Sequence, residues 1–110
     1  MKVYDIINED FKLMSQQDLI TVEFQGCYAT DLLSAAIKSS KPGNILITII
    51  SHMNTIATAM MVDLPVIIFT ESRKIDQVML DKANEVGIAI ISTPLLTHEV
   101  IINLNQRGLI

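Results

Sequence analysis

Three nearly unbroken apolar runs constrain this chain more than any other feature: Ile45 to Ile50, Val66-Ile67-Ile68-Phe69 and Ile88-Ala89-Ile90-Ile91. A strand with one face in water alternates apolar and polar residues, whereas these runs are apolar on both alternating faces. They therefore need cover on both sides, which is the mark of parallel strands between helical layers. The longest leads through a polar turn, Ser51-His52-Met53-Asn54, into the small-residue segment Thr55 to Val62. That junction sets the most polar turn against the most buried strand.

Helical segments separate the runs. Ile75, Val78, Met79, Ala83 and Val86 form a stripe over about 74–86, with Gly87 where a glycine cap belongs. Leu32, Leu33, Ala36 and Ile37 predict an earlier helix started by Thr30-Asp31 and ended by Pro42-Gly43. Asn54 or Ser51 can cap the helix after the central run, whose Ala57, Ala59, Met60 and Met61 would allow close approach to the sheet. The methionines read as core filler. Ser92-Thr93-Pro94 reads as the start of a last helix over 95–106, carrying Leu96, Val100, Ile101 and Leu104. Near the N-terminus, Val3, Ile6 and Ile7 predict a short helix over 3–9, and the β-branched stretch Leu19 to Phe24 predicts a first strand. Gly26-Cys27-Tyr28-Ala29 follows it as a turn. Strand followed by helix thus repeats, which predicts an α/β fold. We expect a three-layer α/β/α sandwich with a mostly parallel sheet of about four strands, built as one domain over 1–110.

Composition narrows the function classes. With 110 residues, 50% of them hydrophobic and no tryptophan, the core must be aliphatic. The apolar excess suggests a helix face covered by a partner, most simply a second copy, so a homodimer is expected. A net charge of −4 and the lack of a basic stripe argue against nucleic-acid binding. Apolar runs are interrupted well before the roughly 18 residues a spanning helix needs, so no membrane segment is expected. The single cysteine, Cys27, excludes an internal disulfide, and MKVYDIINED lacks the apolar region of a signal peptide. Both fit a cytoplasmic location.

Ligands of parallel α/β folds bind outside the carboxyl ends of the strands. Four turns are expected on that edge: Gly26-Cys27-Tyr28, Ser51-His52-Met53-Asn54, Thr70-Glu71-Ser72-Arg73 and Ser92-Thr93-Pro94. Their hydroxyls, imidazole, amide and free backbone N–H groups suit an anion or a polar small molecule. Ser51, His52 and Asn54 would hold the polar part of the ligand, with Gly26, Ser92 and Thr93 completing the rim. Each has a structural role beside the functional one: His52 can simply fix the corner, while Asn54, Thr93 and Thr30 can simply cap helices. No P-loop, dinucleotide fingerprint, zinc signature or nucleophile elbow is present, so no catalytic residue, metal or cofactor is expected.

Three stretches carry a resemblance: Gly26-Cys27-Tyr28-Ala29-Thr30-Asp31-Leu32-Leu33-Ser34, Ile47 to Asn54, and Gly87-Ile88-Ala89-Ile90-Ile91-Ser92-Thr93-Pro94-Leu95. In these the chain resembles stand-alone DRTGG domains, which are similar in fold to the N-terminal domain of HPr kinase/phosphorylase. The motif that names the family is altered, since Glu23-Phe24-Gln25-Gly26-Cys27 keeps only its first glycine. His52, Asn54 and Thr93 match the family pattern. The resemblance implies a regulatory, ligand-binding module without a catalytic role. Function is thus expected to be sensing of a small anionic ligand, such as a nucleotide, or of a partner protein. The alternatives are a pure interaction or dimerisation module, tested by helix-face substitutions at Val100 or Ile101, and a small enzyme acting on a phosphorylated metabolite.

Overall fold

The computed structural model describes residues 1–110. Its centre is a five-stranded sheet made of β1 (Lys12–Leu13), β2 (Cys27–Ala29), β3 (Ile45–Thr48), β4 (Val66–Phe69) and β5 (Ala89–Ser92), in the order β1-β5-β4-β3-β2. The four strands β2 to β5 are mutually parallel, with Cys27 opposite Ile45, Ile45 opposite Val66, and Val66 opposite Ala89. β1 closes the far edge antiparallel to β5. The helices are α1 (Val3–Ile6), α2 (Leu33–Ser39), α3 (Met53–Met61), α4 (Gln77–Val86) and α5 (Thr97–Gln106), and a 3₁₀ turn spans Gln17–Thr21.

β2, β3, β4 and β5 are added one beside the next in a single direction, so crossovers of one hand must place α2, α3 and α4 on one face. The packing agrees. Leu46, Ile67, Phe69 and Ile90 point into a core shared with Ala36, Ile56, Ala59, Met79 and Ala83. The alternate residues Ile45, Ile47, Val66, Ile68, Ala89 and Ile91 point the other way, into a core completed by Val3, Ile6, Phe11, Phe24, Val100 and Leu104. With no crossover helix on that second face, the N-terminal segment and α5 cover it. Arg107 fastens the two, donating to the carbonyls of Asp5 at 2.6 Å and Ile6 at 3.1 Å. The result is the three-layer α/β/α arrangement predicted from the apolar runs.

Several local expectations are corrected. Leu19 to Phe24 is not a strand: it holds the 3₁₀ turn and an extended tail joined to the N-terminus, where Phe24 donates to the Met1 carbonyl at 3.0 Å and Val3 to that of Val22 at 2.9 Å. Its apolar side chains are spent on covering the second face of the sheet. The first parallel strand is instead Cys27–Ala29, read in sequence as a turn, and β1 brings the strand number to five. The opening helix stops at Ile6. Leu32 and Ile37 are exposed, not inward, and Ala36 alone in α2 is fully buried. Four of the six methionines, Met1, Met14, Met60 and Met61, are exposed and only Met79 is core. Ala57 is exposed as well, the buried face of α3 being Thr55, Ile56, Thr58 and Ala59.

Ser92-Thr93-Pro94 does not start the last helix. The Thr93 N–H bonds to the Phe69 carbonyl at 3.1 Å, extending the ladder past β5, and the Thr93 hydroxyl accepts from the Leu95 N–H at 3.2 Å. α5 begins at Thr97, where the Glu99 carboxylate accepts the Leu96 N–H at 2.9 Å. The C-terminal glycine cap of α4 is as expected, Gly87 adopting φ 77° after Val86.

Candidate functional site

The carboxyl ends of β3, β4 and β5 gather three of the predicted turns on one edge. At β3 the chain leaves Thr48 and enters α3 through Ile49 to His52. His52, with extended φ −143° and ψ 155°, is the N-cap residue, and its Nδ1 accepts the Asn54 N–H at 3.1 Å. His52 thus takes the capping role assigned to Asn54 or Ser51. Asn54 and the His52 ring are exposed. The Ser51 hydroxyl donates to the Lys74 carbonyl and so binds this turn to the segment after β4. The Thr55 hydroxyl reaches back to the Ile50 carbonyl at 2.5 Å. The backbone N–H groups of Ser51 and His52 make no hydrogen bond within the chain, and both lie ahead of a nine-residue helix. Unpaired donors of this kind, with the positive end of the helix dipole, favour an anion.

Asp31, which sequence reasoning assigned only to helix initiation, belongs to the same edge. One carboxylate oxygen accepts both the Thr48 hydroxyl at 3.1 Å and the Ile49 N–H at 2.9 Å, and the Thr48 Oγ1 accepts the Ile50 N–H at 3.1 Å. Asp31 therefore fixes the first residues of the His52 turn. A hydroxyl at the end of a buried strand, a short distance in space from an acid after the neighbouring strand, was the available signal; it needed the position of β2 to be read.

At β4 and β5 the loops leave towards opposite faces, one to α4 and the other to α5. They are joined across the edge, where Glu71 donates to the Leu95 carbonyl at 3.1 Å and Ser72 to that of Thr93 at 3.0 Å. Glu71 and Ser72 take left-handed backbone with φ 61° and 52°. Thr93 is buried beside this junction, whereas Ser92 is half-buried and borders an open polar cavity of about 250 Å³ with Glu9, Asp10, Lys12, Ser72 and Pro94. Thr70, at the end of β4, is fully buried and its hydroxyl has no partner. No cluster of three or more His, Cys, Asp or Glu side chains is placed to hold a metal ion.

Gly26 is not on this edge. It precedes β2, its carbonyl accepting the Ile45 N–H at 3.0 Å, so it stands at the amino end of the sheet, opposite the His52 turn. Misplacing the first strand produced that error. Gly26 needs φ 70°, and a Cβ there would meet Asn44 Nδ2 at 3.2 Å. It borders a polar cavity of about 550 Å³ with Gln25, Cys27, Tyr28, Ser39, Lys41, Pro42 and Asn44. Burial raises the Cys27 thiol pKa, which keeps it protonated at neutral pH. No helix is long and apolar enough to cross a membrane.

Among solved structures, the chain is similar to the CBS and DRTGG domains of the regulatory region of Clostridium perfringens pyrophosphatase, complexed with the activator diadenosine tetraphosphate. The TM-score is 0.72 at 14% identity, covering 88% of this chain and 42% of that one. The present chain thus spans under half the length of that regulatory region. No curated protein matches it. The family model described as HPr Serine kinase N terminus matches residues 47–107, from within β3 to just beyond α5. This covers more than half of the 110 residues, including the His52 turn and the β5–α5 junction, and leaves out the altered stretch Glu23 to Cys27. The chain therefore belongs to the HPr Serine kinase N terminus family, folded as a DRTGG-like domain.

Proposed function

We propose that this chain is a non-catalytic regulatory module that binds a small anionic ligand, with nucleotides as the first class to consider, and that it works as a homodimer. The observation that carries the ligand reading is the pair of unpaired N–H groups, Ser51 and His52, at the start of α3 beside an exposed imidazole and an exposed Asn54 side chain. Those donors and the dipole of α3 supply the attraction, His52 and Asn54 supply direction, and Ser92 would complete the rim, while Thr93 is buried and only fixes the turn after β5. Gly26 takes no part, since it lies at the other end of the strands. The regulatory reading is supported by the similar pyrophosphatase region, which was solved with a nucleotide activator.

Backbone amide shifts on titration with ATP and with inorganic phosphate test this. Movement concentrated at Ser51 to Asn54 supports the reading, and movement confined to the Gly26 end contradicts it. His52→Asp is the informative variant. Aspartate is at least as good an N-cap as the residue it replaces, so the fold is kept while a negative charge is placed at the anion position.

A second reading, recognition of a protein partner, is favoured by the exposed apolar side chains Leu32, Met60, Met61, Val78, Leu96 and Ile102 on the outer helices and at their starts. Val100 is fully buried and cannot belong to such a surface. Ile102→Glu and Met61→Glu are the substitutions that probe it.

A further inference from the structure

We infer that the free edge of β2 is the homodimer interface, with β2 of one copy pairing antiparallel to β2 of a second copy about Tyr28. The inference takes the dimeric state from the reading above and adds the face, the register and the bonds.

The pattern of bonds to β3 decides which backbone groups are free. The Gly26 carbonyl accepts from Ile45 at 3.0 Å and the Thr30 N–H donates to Ile47 at 3.1 Å. In a parallel ladder the bonding residues alternate, so residues 26, 28 and 30 face β3 while the N–H and C=O of Cys27 and Ala29 face outward. Sheet order leaves β2 at the edge, and its three residues are half-buried where those of β3 and β4 are fully buried.

Edges are ordinarily blunted by lysine, proline, a bulge or inward charge. The opposite edge, β1, is two residues long and carries Lys12. Cys27-Tyr28-Ala29 is also short, at three residues, but carries no lysine, proline, bulge or charge. It is also self-complementary. When two copies meet antiparallel with Tyr28 facing Tyr28, Cys27 of each copy stands opposite Ala29 of the other. These are the residues whose groups point outward, so each such pair exchanges two hydrogen bonds. Tyr28 becomes the closely spaced, non-hydrogen-bonded pair on the two-fold axis.

Leu32, between β2 and α2, and Ile37 within α2 are exposed, 64% and 43%, and offer apolar surface for the same contact. The product is a ten-stranded sheet continuous across the axis.

Two variants test this, read by light scattering and by oxidative cross-linking of the full chain. Ala29→Pro removes only an outward N–H, a change that edge strands tolerate, and should convert a dimer of twice 12.2 kDa into a folded monomer. Tyr28→Cys in a Cys27→Ser background should cross-link nearly completely on mild oxidation, because a non-hydrogen-bonded antiparallel pair sets Cα atoms about 4.5 Å apart, within disulfide range. Lys12→Cys in that background should not. A chain that is monomeric at all concentrations overturns both the dimer and the edge. A dimer that survives Ala29→Pro and fails to cross-link through Tyr28→Cys overturns the edge alone, and neither result touches the anion site.

Discussion

Asp31 and Thr48 join the ends of β2 and β3 through a single carboxylate oxygen, which accepts the Thr48 hydroxyl at 3.1 Å and, beside it, the Ile49 N–H at 2.9 Å. The turn that carries His52 starts from this clamp. Asp31→Ala should therefore lower stability by about 1–2 kcal/mol in denaturant unfolding, since two hydrogen bonds to a charged acceptor are lost at an exposed position. It should also broaden the amide signals of Ile49 to His52. Unchanged stability together with unchanged signals there would mean that the clamp does not position the turn.

Thr70 invites the opposite experiment. Its hydroxyl is buried without a partner at the end of β4, so Thr70→Val, equal in shape, removes a desolvated group and should raise stability by about 1 kcal/mol. Thr48→Val, whose hydroxyl both donates to Asp31 and accepts from Ile50, should lower it by a similar amount. Urea midpoints for both variants settle the pair. A loss of stability in Thr70→Val would show that the hydroxyl has a bonding partner in solution.

Cys27 sets an alkaline limit. Burial raises its pKa in the folded state, so the unfolded chain gives up this proton first as pH rises. The contribution to stability is fully present below the unfolded thiol pKa and is lost as pH climbs through the raised folded value. Wild type should therefore lose more stability than Cys27→Ala above about pH 8.5, and its thiol should react with iodoacetamide more slowly than a free cysteine at neutral pH. Equal alkaline profiles for the two proteins would contradict the assignment.

Ile67 and Met61 separate core from surface. Ile67 is fully buried at the centre of the sheet, and Ile67→Ala should cost about 2–5 kcal/mol, whereas Met61→Ala at an exposed position should fall within about 0.5 kcal/mol of wild type. Thermal or urea unfolding of the two variants checks the contrast. A large loss in Met61→Ala would indicate that its helix face is covered in the native assembly.

These contrasts also show what could be read without coordinates. β3, β4 and β5 were legible because strands covered on both faces must be apolar at consecutive positions, and Ile45 to Ile47, Val66 to Phe69 and Ala89 to Ile91 are. β2 was not, because an edge strand of three residues packs only partly and has no need of β-branched residues. Leu19 to Phe24 has that composition for a different reason: it covers the face that the crossover helices leave open. The exchange of these two segments moved Gly26 from the amino end of the sheet to the carboxyl end. The His52 turn was legible as the polar exit from the central strand, but the capping role of the imidazole was not, since histidine is an uncommon N-cap beside the hydroxyl and amide residues that flank it. Asp31 and Thr70 acquire their meaning only from neighbours across the sheet.

The central claim, an anion site at the start of α3, is tested most directly by thermal unfolding of wild type and His52→Asp against adenine and guanine nucleotides and inorganic phosphate. A ligand at about 100 times its dissociation constant adds about 2.7 kcal/mol, which moves the midpoint of a domain of this size by several degrees. Wild type should show such a shift with at least one of these anions, and His52→Asp should lose it while remaining folded and at least as stable alone. No shift with any of them, or an equal shift in both proteins, would contradict the claim.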